Sequence, residues 1–200
     1  MPPAREYSPS DDIFQIKIAL LGTQPLIWRR LLVPGTFPLR SLSDAIRASM
    51  GWSGSHLHEF RVGKEIYGEP DLDRDPFGIT RRKDDRWVAL HELLPRLRSK
   101  ALYTYDFGDQ WEHSITLEKR LKPDPEMLYP VCTGGAMAGP PEDSGGLPGY
   151  FALLEALQDP KHRQHEELLR WAGGAYDPNA FSITDVNGRL RRRKRRTRRH

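Results

Sequence analysis

The sequence holds one cysteine, Cys132, in 200 residues, so an intramolecular disulfide is excluded. A lone thiol suits a reducing compartment. No apolar run approaches the length of a bilayer span. The N-terminal MPPAREYSPSDD also lacks the apolar centre of a secretory signal. A cytoplasmic protein without a membrane partner is the expectation. Apolar residues are scarce at 38%, although five Trp, seven Tyr and seven Phe bring large areas to bury. Acids are missing from Arg189–His200, where nine Lys or Arg crowd together. Taking those nine from the 31 basic residues leaves 22 against 27 acids, a net of −5 for residues 1–188. The formal charge of +4 therefore belongs to the tail, and a basic surface on the body is not supported.

Alternation supplies the strand signals. Phe14, Ile16, Ile18 and Leu20 alternate with Gln15, Lys17 and Ala19, and a second alternating run spans Ile27–Val33. Gly22-Thr23-Gln24-Pro25 between them predicts a hairpin with Arg29 and Arg30 near its middle. Ser41 with Asp44 fits a capping box for a helix through Met50, and Gly51 fits its C-cap. His56, His58, Phe60 and Val62 are expected on one strand face, with Gly63-Lys64 turning into a short strand at Glu65–Tyr67. Residues 69–86 are polar and predict a mobile surface loop. A short helical pattern follows around Val88–Leu94. Leu102–Phe107 and Trp111–Glu118 predict a second hairpin, turning on Asp106-Phe107-Gly108-Asp109. Lys122–Gly149 is rich in Pro and Gly, yet its Tyr129, Val131, Cys132 and Leu147 argue that it packs. Helices are expected at Tyr150–Gln158, from Asp159-Pro160 to Trp171, and from Asp177-Pro178 to near Leu190.

Strands early and helices late give an α+β fold. The expected architecture is a disordered leader at 1–12, a single domain at 13–188 and a basic disordered tail at 189–200. The domain is read as a mostly antiparallel sheet of about five or six strands, with helices packed on one face and a helical C-terminal third.

Three strings carry a resemblance: YTYDFGDQWEHSITLEK, YPVCTGGAMAGPPEDSGGLPGYFALLEAL and DVNGRL. They are similar to the Ri-plasmid ORF-3-like family over Ile13–Leu190. Its most specific matches are Tyr105-Asp106-Phe107-Gly108-Asp109 with Trp111 and His113, and Pro140-Pro141-Glu142-Asp143 with Gly145, Gly146, Gly149 and Tyr150. The resemblance implies a single α+β domain carried on plasmids and as an insertion-sequence passenger, often labelled TnpR. It brings no catalytic residue or cofactor with it. No serine-recombinase pattern at the N-terminus accompanies that label, and the Arg-rich tail lies outside the match.

Chemistry concentrates at the second hairpin and the PPED loop. Asp106, Asp109, His113, Glu142 and Asp143 are the candidate catalytic groups of a metal-assisted hydrolase. His56, His58, Asp109, His113 and Cys132 are the lesser candidates for metal ligands. The spacing matches no zinc signature, and short acids before glycine-rich backbone more often cap turn amides. GGAMAGPPEDSGG lacks the Gly-Lys-Ser/Thr ending of a phosphate-binding loop. A buried, inert thiol is expected for Cys132.

In the tail, Arg191, Arg192, Arg193, Lys194, Arg195, Arg196, Arg198 and Arg199 form a candidate DNA- or RNA-binding arm. The leading expectation is a non-enzymatic accessory protein of mobile-element origin. A protein-interaction module presenting Trp111 and Tyr150 is a further alternative.

Overall fold

A computed structural model describes residues 11–54, 56–69 and 82–197, and of these the side chains of 193–197 are left aside. The strands are β1 (Ile13–Leu20), β2 (Trp28–Pro34), β3 (His58–Val62), β4 (Glu65–Gly68), β5 (Lys83–Asp84), β6 (Lys100–Tyr105), β7 (Trp111–Leu121) and β8 (Val131–Ala136). The helices are α1 (Leu39–Met50), α2 (Leu90–Leu93), α3 (Gly146–Gln158), α4 (His165–Trp171) and α5 (Ile183–Thr197). All eight strands join one sheet in the order β5-β4-β3-β6-β7-β1-β2-β8. Every pairing is antiparallel except β4 with β5.

The alternation of β1 and β7 becomes one buried and one solvated face. Phe14, Ile16, Ile18 and Leu20 are fully buried, as are Ile115 and Leu117, while Gln15, Lys17, Thr116 and Glu118 face outward. On the outer face Glu118 accepts from Arg30 Nε at 2.6 Å, Arg30 Nη2 at 3.1 Å and Gln15 Nε2 at 2.9 Å. These cross-strand bonds fix register more than they stabilise, because exposed ion pairs contribute little. Helix α1 buries Leu39, Leu42, Ala45 and Ile46, and α5 packs against α1 and β8 through Val186 and Leu190.

Both predicted hairpins form, with Ile16 opposite Leu31 and Tyr105 opposite Trp111. The sheet is larger and more mixed than expected, by β5 and β8. β8 opens the C-terminal third, which is therefore not wholly helical, and an irregular stretch with turns separates α4 from α5. Helix α1 starts two residues before Ser41 and uses no side-chain cap. Its first N–H groups are taken by backbone instead, Leu39 N by Val88 O at 2.9 Å and Arg40 N by Asp85 O at 3.1 Å. Asp44 pairs with Arg47 inside the helix, and Gly51 caps it in the left-handed region as expected. The other helices also shift: α2 has only four residues, α3 starts at Gly146, α4 starts at His165 and α5 starts at Ile183. Asp159 and Asp177 make local turns, accepting from Lys161 N and Asn179 N, rather than N-capping the helices that follow.

Two further expectations change. Of the polar stretch 69–86, residues 70–81 lie outside the described ones; Lys83 and Arg86 near its end are exposed, but Asp85 between them is not surface. Asp85 is fully buried and bonds His58 and Arg40. Residues 189–197, expected as disordered tail, continue α5 as helix. Val186 and Leu190 anchor the start of that helix in the core, and Arg and Lys are good helix formers beyond it. The described helices include none long and apolar enough to cross a membrane.

Candidate functional site

The β6–β7 hairpin tip and the PPED loop meet, as the metal-assisted hydrolase alternative requires, and a third segment joins them. That segment is Trp52–His56, just after α1. The Trp52 ring stacks on Tyr105 at a centroid distance of 5.0 Å, and its Nε1 donates to Pro140 O at 2.9 Å. Glu142 then ties all three segments together. It accepts from Ser53 N at 2.7 Å, Gly54 N at 3.3 Å and the Tyr105 hydroxyl at 2.5 Å. Burial tends to raise the Glu142 pKa, but the Tyr105 hydroxyl and the Ser53 N–H outweigh it, and the carboxyl titrates below its ordinary value. Burial, together with this carboxylate, pushes the Tyr105 phenol up to about 12. Two glycines let the loop come this close. A Cβ on Gly139 would lie 2.2 Å from Met50 O, and one on Gly146 would lie 2.4 Å from Asp109 O.

The aspartates divide the remaining work. Asp106, at φ 60°, turns one oxygen to Gly108 N at 2.9 Å and Asp109 N at 3.3 Å. Asp109 crosses to the loop and accepts from Gly145 N at 3.1 Å. Both act as caps of backbone amides. The other oxygen of Asp106 lies 3.4 Å from His56 Nδ1, and Asp143 Oδ1 lies 2.9 Å from His56 Nε2. His56, Asp106 and Asp143 offer one ligand atom each within 4.8 Å of one another, so this is where a cation could be held. The imidazole, however, turns its two nitrogens to opposite carboxylates. Nε2, although 2.9 Å from Asp143 Oδ1, makes no hydrogen bond, so this contact does not by itself tie hairpin to loop.

The other candidates are elsewhere. His113 is fully buried, with Trp52 and Tyr103 around it, and Nδ1 donates to Trp111 O at 3.0 Å. Burial lowers its pKa to about 4, so it is a neutral core imidazole near pH 7. His58 does not share a strand face with His56, because β3 starts at His58. It packs inside, with Nε2 2.7 Å from Asp85. Cys132 is the buried thiol expected: burial pushes its pKa up, and Sγ donates to Gly134 O. Trp111 and Tyr150 are 1% and 2% exposed, which overturns the aromatic docking patch proposed for them. Their rings close the core under α3 instead. The basic arm leaves the body at the last turn of α5 that packs: Leu190 is buried, and Arg191 and Arg192 are exposed.

Sequence reasoning missed Asp85, Arg29 and the role of Asn187. Asn187, from DVNGRL, clamps Cys132 by accepting from its N–H at 2.8 Å and donating to its carbonyl at 3.0 Å. A lone Asn inside a matched string was the available signal.

Glu142→Ala is expected to destabilise by about 1–3 kcal/mol, since two amides and a phenol lose their acceptor. Urea unfolding measures this, and Glu142→Gln should keep part of the loss.

The chain is similar to a sequence relative and to a solved structure. Uncharacterized protein y4hQ of Sinorhizobium fredii (strain NBRC 101917 / NGR234) is 37% identical over 177 residues, covering 88% of this chain and 89% of the relative. The crystal structure of a protein of unknown function, MM3350 from Methanosarcina mazei Go1, matches with a TM-score of 0.79 at 36% identity. That match covers 88% of this chain and 97% of that one. The family model for plasmid pRiA4b ORF-3-like proteins spans residues 12–185, taking in the hairpin, the PPED loop and the start of α5. The chain belongs to the plasmid pRiA4b ORF-3-like family.

Proposed function

We propose that this chain is a non-enzymatic, cytoplasmic accessory protein of mobile-element origin whose C-terminal arm contacts DNA or RNA. One observation carries the reading, the separation of charge along α5. Leu190 is the last buried side chain among the described residues, and from Arg191 through Thr197 the helix carries six Lys or Arg and no acid. At 1.5 Å per residue those seven positions make roughly 10 Å of cationic helix beyond the packed body. Such a helix neutralises phosphates and releases counterions without reading bases. The body, at net −5, adds repulsion, so the arm has to supply the attraction. The matched family residues end at 185, so the arm lies outside the match.

Truncation after Leu190 tests the reading. It removes eight Lys or Arg and keeps the buried anchor. Duplex DNA affinity at low salt should fall about 100-fold or more if roughly four phosphates are released, while the thermal midpoint stays put. Unchanged binding would refute the reading.

A second reading, a metal-assisted hydrolase, is favoured by the convergence of His56, Asp106 and Asp143. It requires stoichiometric binding of Zn2+ or Mn2+ that Asp143→Asn abolishes. The accessory-protein reading expects calorimetric titration to show none.

A further inference from the structure

A cavity of about 590 Å3 opens between the end of α1, residues 138–142 and the first turns of α5. Two guanidiniums line it, Arg29 and Arg189. Arg29 is 2% exposed and has no carboxylate within ion-pair distance among the described residues. Its Nε donates to Ser49 O at 3.0 Å, its Nη1 donates to Trp28 O and Ala136 O at 2.8 Å each, and its centre stacks 4.9 Å over Phe181. Arg189 is held in the same way, with Nε donating to Ala48 O at 2.9 Å. Carbonyls orient a buried guanidinium without neutralising it, and burying an uncompensated charge is costly. Burial lowers the Arg29 pKa to about 10, and neighbouring Arg189 adds to the effect.

The rest of the lining selects among anions. Trp52, Phe181 and Val186 give apolar wall, while two carboxylates, Glu142 and Asp185, stand at the same cavity. Glu142 is already engaged with Ser53, Gly54 and Tyr105. Asp185 stands one helical turn before Arg189 and offsets part of its charge. The volume falls within the range of small-molecule sites, far above the roughly 30 Å3 share of one water. An inorganic ion would leave most of it unfilled.

We propose that this cavity binds a small organic anion, with its carboxylate or phosphate head on Arg29 and Arg189 and an aromatic or other apolar body against Trp52, Phe181 and Val186. Planar guanidinium forks recognise either head, so the head group is assigned by experiment.

The full chain is titrated calorimetrically with phenylacetate, phenyl phosphate and inorganic phosphate, with Trp fluorescence as a second readout. At least one aromatic anion should saturate a single site below millimolar concentration, and whichever binds tighter identifies the head. Inorganic phosphate should bind at least tenfold more weakly. Arg29→Gln is a risky variant, because its side chain bridges Ser49, Trp28 and Ala136. Arg189→Gln therefore carries the test and should weaken binding tenfold or more, while Asp185→Asn should tighten it severalfold. The chain truncated after Leu190 keeps Arg189 and should bind as the full chain does, which separates this site from the nucleic-acid arm. The proposal is overturned if neither aromatic anion saturates, if Arg189→Gln leaves affinity unchanged, if inorganic phosphate binds equally well, or if truncation abolishes binding.

Discussion

Replacing Asp85 by Ala should cost about 3–5 kcal/mol, the scale for breaking a buried charged network from one side. The carboxylate is fully buried and serves two partners. His58 Nε2 lies 2.7 Å from one oxygen, and Arg40 Nε donates to both at 3.1 and 3.3 Å. Its backbone serves as well: Asp85 N donates to Gly68 O, and Asp85 O accepts from Arg40 N at the start of α1. The residue thus fastens β4, the start of α1 and β3 around one point. Asp85→Ala would leave the buried His58 imidazole without its acceptor and Arg40, which is partly exposed, with Glu69 alone. Asp85→Asn, which keeps an acceptor oxygen but loses the charge, should cost less. Urea unfolding measures both. Burial by itself would raise the Asp85 pKa, but the bonds from His58 and Arg40 outweigh it and hold it below the ordinary carboxylate value. A depressed folded pKa stabilises above the unfolded value and is lost as pH falls through the folded one, so this contribution disappears below about pH 4.

Acidification from pH 6.5 to 4 should cost about 3 kcal/mol through His113 alone. The imidazole is fully buried, and burial lowers its pKa from 6.5 to about 4. The unfolded chain therefore takes up a proton that the folded chain refuses. Its contribution is complete above pH 6.5, shrinks by about 1.36 kcal/mol per pH unit below it, and levels off near pH 4. His113→Leu should flatten this limb of the stability curve, though the Trp111 carbonyl would lose its donor and overall stability would fall somewhat. The two windows do not overlap: His113 acts between pH 6.5 and 4, and Asp85 acts below. Unfolding curves at half-unit pH steps on wild type, H113L and D85N separate them. A wild-type stability that is flat between pH 6.5 and 4 would contradict the assignment of His113 as a neutral core group.

What the sequence made legible was whatever the local period encodes. β1 and β7 alternate cleanly because one face packs and the other is wet, and the tight turn between β6 and β7 is written in Asp106–Asp109. β8 escaped because its Gly134 and Gly135 leave no alternation to read. Gly135 is there for close approach, since a Cβ would meet Trp28 O at 2.8 Å and the Phe181 ring at 2.4 Å. β5 is two residues long and pairs in parallel, so only tertiary contact defines it. Within the site, the sequence singled out the hairpin and the PPED loop as the two acidic, glycine-rich segments, and their meeting was a requirement of the hydrolase alternative alone. The division of labour was not. Asp106, Asp109 and Glu142 have the same chemistry as free carboxylates in a sequence, and only geometry shows that they cap amides while Asp143 faces His56. Asp85 and Arg29 look like surface charges by composition, since nothing local marks a charged residue for burial.

The arm beyond Leu190 is the central functional claim, and the salt dependence of DNA binding tests it most directly. Log affinity for a duplex plotted against log salt should have a slope of about −3 to −4 for the full chain, as expected if about four phosphates are neutralised. Scrambling the duplex sequence should leave that slope and the affinity unchanged. The chain ending at Leu190 should show a slope near zero with weak residual binding. An equal slope for both chains, or a full-chain affinity that follows the DNA sequence rather than the salt, would contradict the account.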